Sequence, residues 1–384
     1  MRITDVGVSL HSYAPPRALG WSGEEAKIGV LTIETSEGVS GHNFLFDQRA
    51  VSPGVEALGG QIMRFVKPRL LGRDPLEIGA IWNELRGLSR PLHPAVQGYV
   101  DVTLWDIAGK VAGLPVHRLL GSCRDKIPIY ASSWALPDAD AYVEEAFAYR
   151  EMGIRAYKLH PPSFSAFLTG ASRGPVNADI EACSAVREAV GSEMTLMLDA
   201  AWQYNYAQAL KVGLAIQELD YYWYEDPLRS DDIFGYMRLK EKLSIPLMAT
   251  ETIEGGLHAY PSWILLKATD FLRGDVVIKG GITGMMKIAH LAEAFGLNCE
   301  LHDAYTPTNQ FASLNVAVSI TNCEYFEALV VNDPGKYGFD FLSFGLEEPF
   351  RVDASGHVHA PTLPGLGCQI DWSLMNATKL GVIS

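Results

Sequence analysis

Cysteine is scarce and unpatterned in this chain: five residues in 384, Cys123, Cys183, Cys299, Cys323 and Cys368, odd in number and without a CxxC spacing. That excludes a disulfide framework and a thiolate zinc site, and it predicts a reducing compartment. Basic clusters are missing too. With 31 Lys and Arg against 45 Asp and Glu, the formal net charge is -14, which leaves no patch for phosphate backbones and excludes nucleic-acid binding. No segment reaches the roughly 18 apolar residues of a membrane span. The opening MRITDVGVSLHSYAPP also lacks the apolar stretch of a signal peptide. A cytoplasmic protein with a small-molecule partner is expected.

What is present is a large core. The chain is 48% hydrophobic and 20% charged, as in a compact globular protein. Its length suits a barrel of about 250 residues with a companion domain. Up to residue 124 the pattern is α+β. RITDVGVSL and IGVLTIETS alternate as strands, and helical stretches follow, the last being AVQGYVDVTLWDIAGKVAGLP with Gly113 and Pro115 as stop signals. From 125 to 345 short apolar runs alternate with helical stretches: IPIYASS, IRAYKLHP, TLMLDA, YYWYED, IPLMATE, DVVIK, NCELHD and EYFEAL. Eight such units predict a closed parallel α/β barrel. HAYPSWILLKATDFLR reads as connecting chain before the sixth strand, DVVIK. The tail, 346 to 384, returns to loops and short strands and is expected to pack back on the first domain.

The run ends carry the chemistry. Asp199, Glu225 and Glu251 close three successive units at equal spacings of 26 residues. In a parallel barrel the C-terminal strand ends ring one mouth, so three carboxylates converge. They need a cation or protons to sit together, and an all-oxygen set suits Mg²⁺. Each acid alone reads as a helix cap; the repeat favours the metal. Asp275 opens DVVIKGGITG and His302 closes NCELH, an acid and a base on neighbouring strands. Opposite them, YKLHPP ends the second strand with Lys158 and His160 on one face. A metal with a base on either side is a layout for moving a proton beside a carboxylate.

These residues in this order resemble the enolase superfamily over nearly the whole chain. VTLWDIAGKVAGLPVHRLLGS (102 to 122) is similar to the family's stretch joining capping domain to barrel, and PGLGCQID to its closing segment. The resemblance implies an N-terminal α+β capping domain on a (β/α)7β TIM-like barrel, with Asp199, Glu225 and Glu251 at the Mg²⁺ ligands. Asp275 lies five residues before the first glycine of the Gly-Gly turn, where other subgroups carry a lysine; Lys279 directly precedes that glycine. Asp275 with His302 therefore resembles the dyad of the mandelate racemase subgroup (mandelate racemase/muconate lactonizing enzyme-like). Glu327 matches the glutamate that hydrogen-bonds the substrate carboxylate there. The subgroup often has Lys-x-Lys on strand two, whereas this chain has Lys158-Leu-His160, so either residue is a candidate base.

Most members with a base on strand two and a His-Asp dyad act on sugar acids. The expected reaction is dehydration of an aldonate or aldarate to a 2-keto-3-deoxy acid. Racemisation or epimerisation of a 2-hydroxy acid is the alternative, and a noncatalytic carboxylate-binding protein is a third reading. Candidate substrate contacts are Arg17, Trp21, His42, Asn43 and Phe46 in the capping-domain stretches, Arg173 in the long loop after strand two, and Trp202 and Asp303 beside the strand ends. Relatives commonly assemble as homo-oligomers, and the same is expected here.

Overall fold

A computed structural model describes residues 1–13, 26–46, 54–165, 176–302, 306–331 and 337–384. Eight strands pair in parallel in chain order: β4 (Lys126–Ser133), β5 (Ala156–Leu159), β6 (Thr195–Asp199), β7 (Tyr224–Glu225), β8 (Leu247–Ala249), β9 (Phe271–Gly274), β10 (Asn298–Leu301) and β11 (Phe326–Val330). The ring closes where β11 pairs with β4, from Phe326 beside Ile129 to Val330 beside Ser133. Among the described residues an α-helix occupies each of the seven connections, the last being Pro307–Ala317 before β11. This is the (β/α)7β barrel.

The barrel is filled rather than open. Inward-facing Tyr130, Ala156, Met197, Trp223, Met248 and Phe271 pack together as a buried floor. One pleat higher the inward positions become charged: Lys158, Asp199, Glu225, Arg273 and Glu327, all buried. Side chains two apart on a strand share a face, so this layer stands directly on the apolar one.

An antiparallel sheet precedes the barrel, in the order β13 (Lys379–Ile383), β1 (Ile3–Tyr13), β2 (Ala26–Thr35), β3 (Ser40–Phe46). Its outermost strand comes from the C-terminal tail, while β12 (His357–His359) of the same tail pairs with β4. The tail thus binds both halves. No described helix is long and apolar enough to cross a membrane.

One helix, Pro94–Ala112, joins the halves, and it ends at Gly113 in the left-handed conformation (φ 67°). Its Gly98 is in close contact with the turn after β9: a Cβ there would fall 2.0 Å from the Val277 carbonyl oxygen. Asp101, one turn on, accepts from the Thr283 amide at 2.9 Å and so caps the next barrel helix, Gly281–Ala294. Gly98→Val is therefore expected to destabilise the protein by at least the cost of ordinary overpacking, about 1–3 kcal/mol. Thermal unfolding checks this; an unchanged midpoint contradicts it.

The sixth barrel strand differs from the reading of the sequence. It is Phe271–Gly274, not DVVIK, and residues 276–280 form the turn into the next helix. Val276 and Val277 are apolar because they pack under Pro94–Ala112, not because they pair in the sheet. The shift moves Arg273 from a connection into the barrel interior.

Candidate active site

Every barrel strand from β5 to β11 delivers an ionisable side chain to the interior or the mouth. Lys158 lies in β5 and His160 just past it; Asp199 and Glu225 are the last residues of β6 and β7; Glu251, Asp275 and His302 follow β8, β9 and β10; Glu327 lies in β11. All are buried. The backbone beside the three acids is strained: Ala201, Trp202, Asp226 and Thr250 have φ of 45°, 61°, 39° and 88°. Non-glycine residues enter this region at a cost of order 1–3 kcal/mol, and such costs concentrate at functional sites.

Two cations and two carboxylates close a ring across the barrel. Lys158 Nζ lies 3.0 Å from Glu225 Oε2 and 2.7 Å from Glu327 Oε1. Arg273 completes it, with Nη2 at 2.6 Å from Glu327 Oε2 and Nε against Glu225 Oε1. Asp199 Oδ2 joins at 3.3 Å from Lys158, and Glu251 Oε2 at 3.6 Å from Arg273. In such a network, removing one partner strands a buried charge, at about 3–5 kcal/mol. Burial and Arg273 oppose the Lys158 ammonium, but Glu225 and Glu327 outweigh them and raise it well above the ordinary lysine value. Lys158 is thus a charge held in place, a poor proton acceptor.

His160 is oriented from both sides. Its Nδ1 donates to the Ser133 carbonyl oxygen at 2.6 Å, and Nε2 faces Asp199 Oδ2 at 3.1 Å. Trp134 and Phe164 pack against the ring, with centroids 6.2 and 4.8 Å away. His302 is held at Nδ1, 3.3 Å from Asp275 Oδ2, and at Nε2, 3.6 Å from Glu251 Oε1. Asp275 is itself fixed, its Oδ1 accepting from the Val277 and Ile278 amides at 2.6 and 2.8 Å.

Burial disfavours charge on His302, but Glu251 and the Asp275 hydrogen bond prevail, and its pKa rises to about 10. In the metal-free protein the imidazole therefore carries its proton at neutral pH. Because the folded value exceeds the ordinary 6.5, its contribution to stability is fully present below about 6.5 and is lost as pH rises through about 10. The metal-free protein is expected to lose thermal stability across that window, and His302→Asn to lose less. Parallel profiles contradict the assignment.

Glu327 sits between the two buried cations. Burial raises its pKa, yet Lys158 and Arg273 together hold it well below the usual carboxylate range.

The capping-domain candidates are placed elsewhere. Asn43 is buried with its amide committed: it donates to Tyr99 O at 3.3 Å and Asn309 Oδ1 at 3.0 Å, and accepts from Thr308 Oγ1 at 2.7 Å. It ties β3 to the helix Pro307–Ala317. His42 faces the C-terminal tail, its ring 4.9 Å from that of Trp372, and burial pushes its pKa down to about 4. Phe46 packs in an apolar cluster with Tyr13, Phe44 and Met375. Strand alternation is the reason: His42, Phe44 and Phe46 share the face covered by the tail. Trp202 follows the Asp199 strand end and so stays beside the mouth. Arg17, Trp21, Arg173 and Asp303 lie outside the described residues.

Asp199, Glu225 and Glu251 fit a hard cation in donor type, and each lies at or just past the end of its strand. Neighbouring Asp226 adds a sign of it: Oδ1 accepts from Tyr236 at 3.3 Å, while the buried Oδ2 has no hydrogen-bond partner among the described residues. Burial and the adjacent Glu251, Asp199 and Glu225 drive the Asp226 pKa well up, as expected where acids crowd. The carboxylates are drawn onto Lys158 and Arg273, and among the described residues no three His, Cys, Asp or Glu side chains form a ready metal cage.

Comparison with known proteins agrees with this architecture. Residues 6–121 match the N-terminal domain model of the mandelate racemase / muconate lactonizing enzyme family, and residues 141–374 match the enolase C-terminal domain-like model. A D-glucarate dehydratase from Agrobacterium tumefaciens, solved in complex with magnesium, superposes with a TM-score of 0.86 at 31% identity, covering 99% of each chain. An arabinonate dehydratase of Saccharolobus solfataricus is 28% identical over 90% of this chain and 88% of its own length. An L-talarate/galactarate dehydratase of Salmonella typhimurium is 31% identical over 73% of this chain and 68% of its own.

Proposed function

Because the chain belongs to the mandelate racemase / muconate lactonizing enzyme family of the enolase superfamily, we propose that it is a Mg²⁺-dependent hydro-lyase of a sugar acid, an aldonate or aldarate. The observation that carries this reading is a pair of buried histidines, one just past β5 and one just past β10, each turning Nε2 toward a carboxylate proposed to hold the metal. His302 is set between Asp275 at Nδ1 and Glu251 at Nε2. His160 donates through Nδ1 to a backbone carbonyl and turns Nε2 toward Asp199, so Nε2 is the atom that faces the site. In strand order they are separated by β4 and β11, so they flank the carboxylates from different sides.

In this account His160 removes the proton from C2 of the substrate and the pair of electrons moves toward the substrate carboxylate. His302 then delivers its proton to the C3 hydroxyl, which leaves as water, and the enol formed between C2 and C3 becomes the 2-keto-3-deoxy acid. Mg²⁺ held by Asp199, Glu225 and Glu251 supplies, when bound, a Lewis acid that stabilises negative charge on the substrate carboxylate. Lys158 and Arg273 add fixed positive charge beneath, in a site whose floor is apolar. The relatives named for gluconate, arabinonate and glucarate dehydration support this class of substrate.

The same two histidines favour a second reading, epimerisation at C2, for a substrate with no C3 hydroxyl placed to leave. Incubating a panel of aldonates and aldarates with protein and Mg²⁺ and assaying for 2-keto acids separates the two. A 2-keto product from at least one acid is expected; inverted C2 with no 2-keto acid makes the chain an epimerase.

A further inference from the structure

Arg273 enters the mechanism above only as fixed charge, yet it touches more of the acidic site than any other described side chain except Lys158. It is fully buried in the middle of β9, with Phe271 below it and Asp275 above on the same face. The guanidinium is fixed on its own account: Nη1 donates to the Tyr130 hydroxyl at 3.2 Å and to the Leu301 carbonyl oxygen at 3.3 Å. Its backbone is fixed as well. The Arg273 amide donates to Thr250 Oγ1 at 2.8 Å, and its carbonyl oxygen accepts from Thr250 Oγ1 and the Tyr260 hydroxyl, both at 3.0 Å.

From that rigid seat three carboxylates are reached: Glu225 through Nε, Glu327 through Nη2 and, more loosely, Glu251. Glu225 and Glu251 are two of the proposed metal ligands. We propose that Arg273 is a positioning residue that sets where Glu225, Glu251 and Glu327 stand, so that cation affinity depends on its guanidinium fork and not on positive charge alone.

The contacts are compatible with metal binding. Each carboxylate oxygen has two lone pairs, so one that faces Arg273 can still face a cation. Metal-ligating carboxylates are commonly hydrogen-bonded in turn, and losing that partner typically weakens affinity by about 10–100-fold. A lysine at 273 keeps the charge but is a single point on a flexible stem and cannot hold three separated carboxylates at once. The opposite outcome follows if Arg273 only offsets negative charge: lysine then substitutes fully, and a neutral residue tightens Mg²⁺ by removing a repelling cation.

This inference rests on the metal-assisted reading above, so its test avoids the reaction. Mg²⁺ is titrated calorimetrically into the metal-free wild-type protein, Arg273→Lys and Arg273→Met, with thermal unfolding of each recorded alongside. Both variants are expected to bind Mg²⁺ about 10–100-fold more weakly, including Arg273→Lys, the variant that decides the matter should Arg273→Met not fold. Wild-type affinity in Arg273→Lys, or tighter binding in Arg273→Met, overturns the inference while leaving the proposed function intact. No Mg²⁺ binding by the wild-type protein overturns the metal-assisted reading, and this inference with it.

Discussion

His302→Asn is expected to lower turnover by about 10²–10⁴-fold, the range for loss of a placed general acid, while exchange of the C2 proton with solvent continues. The asparagine amide can still donate to Asp275, so the loop is preserved and the change is confined to a missing proton. The asymmetry matters more than the size of the loss. A residue that merely shapes the pocket would depress exchange and turnover together, whereas an acid acting after C2–H cleavage affects elimination first. Exchange is read from loss of the C2 proton signal in D₂O and turnover from 2-keto acid formation. Turnover near the wild-type rate removes His302 from the mechanism.

His160→Asn is expected to abolish both, exchange as well as turnover, with a loss of similar size. Mg²⁺ binding should survive, because His160 approaches Asp199 only from one side and Lys158 remains on it. Retained exchange would pass the role to Lys158. The structure argues against that outcome, since the Lys158 ammonium is enclosed by Asp199, Glu225 and Glu327, and a lysine held so firmly charged has no lone pair to offer.

Much of the mouth was legible in the sequence because barrel geometry and residue spacing constrain each other. Acids at equal intervals of 26 residues fall on successive strand ends, and β6, β7 and β8 do lead into Asp199, Glu225 and Glu251. The family resemblance supplied the rest of the frame. What was not legible was Arg273. FLRG has too little apolar character to be read as a strand next to VVIK, yet the arginine is tolerated inside because three carboxylates surround it. A single-sequence reading scores side chains by their own polarity and cannot see that compensation.

The orientation of the described capping-domain candidates was not legible for a different reason. Proximity to the mouth was inferred from stretches of chain, but strand parity decides which way each side chain points. It sends His42 and Phe46 to the tail-covered face and Asn43 into the seam with Pro307–Ala317. The partners of Glu327 were not legible either, because one of the two cations that engage it, Arg273, reads in the sequence as part of a connection.

The central claim is that His160 takes a proton from C2 and His302 gives one to a departing hydroxyl on C3. Proton NMR in D₂O, on whichever acid the Mg²⁺-loaded protein consumes, tests it most directly. The account predicts loss of the C2 signal and a new C3 methylene-type position that carries one deuterium from solvent, placed there as the enol becomes the keto acid. Deuterium at C2 with inverted configuration and an intact C3 hydroxyl would contradict it, and would assign the two histidines to epimerisation instead.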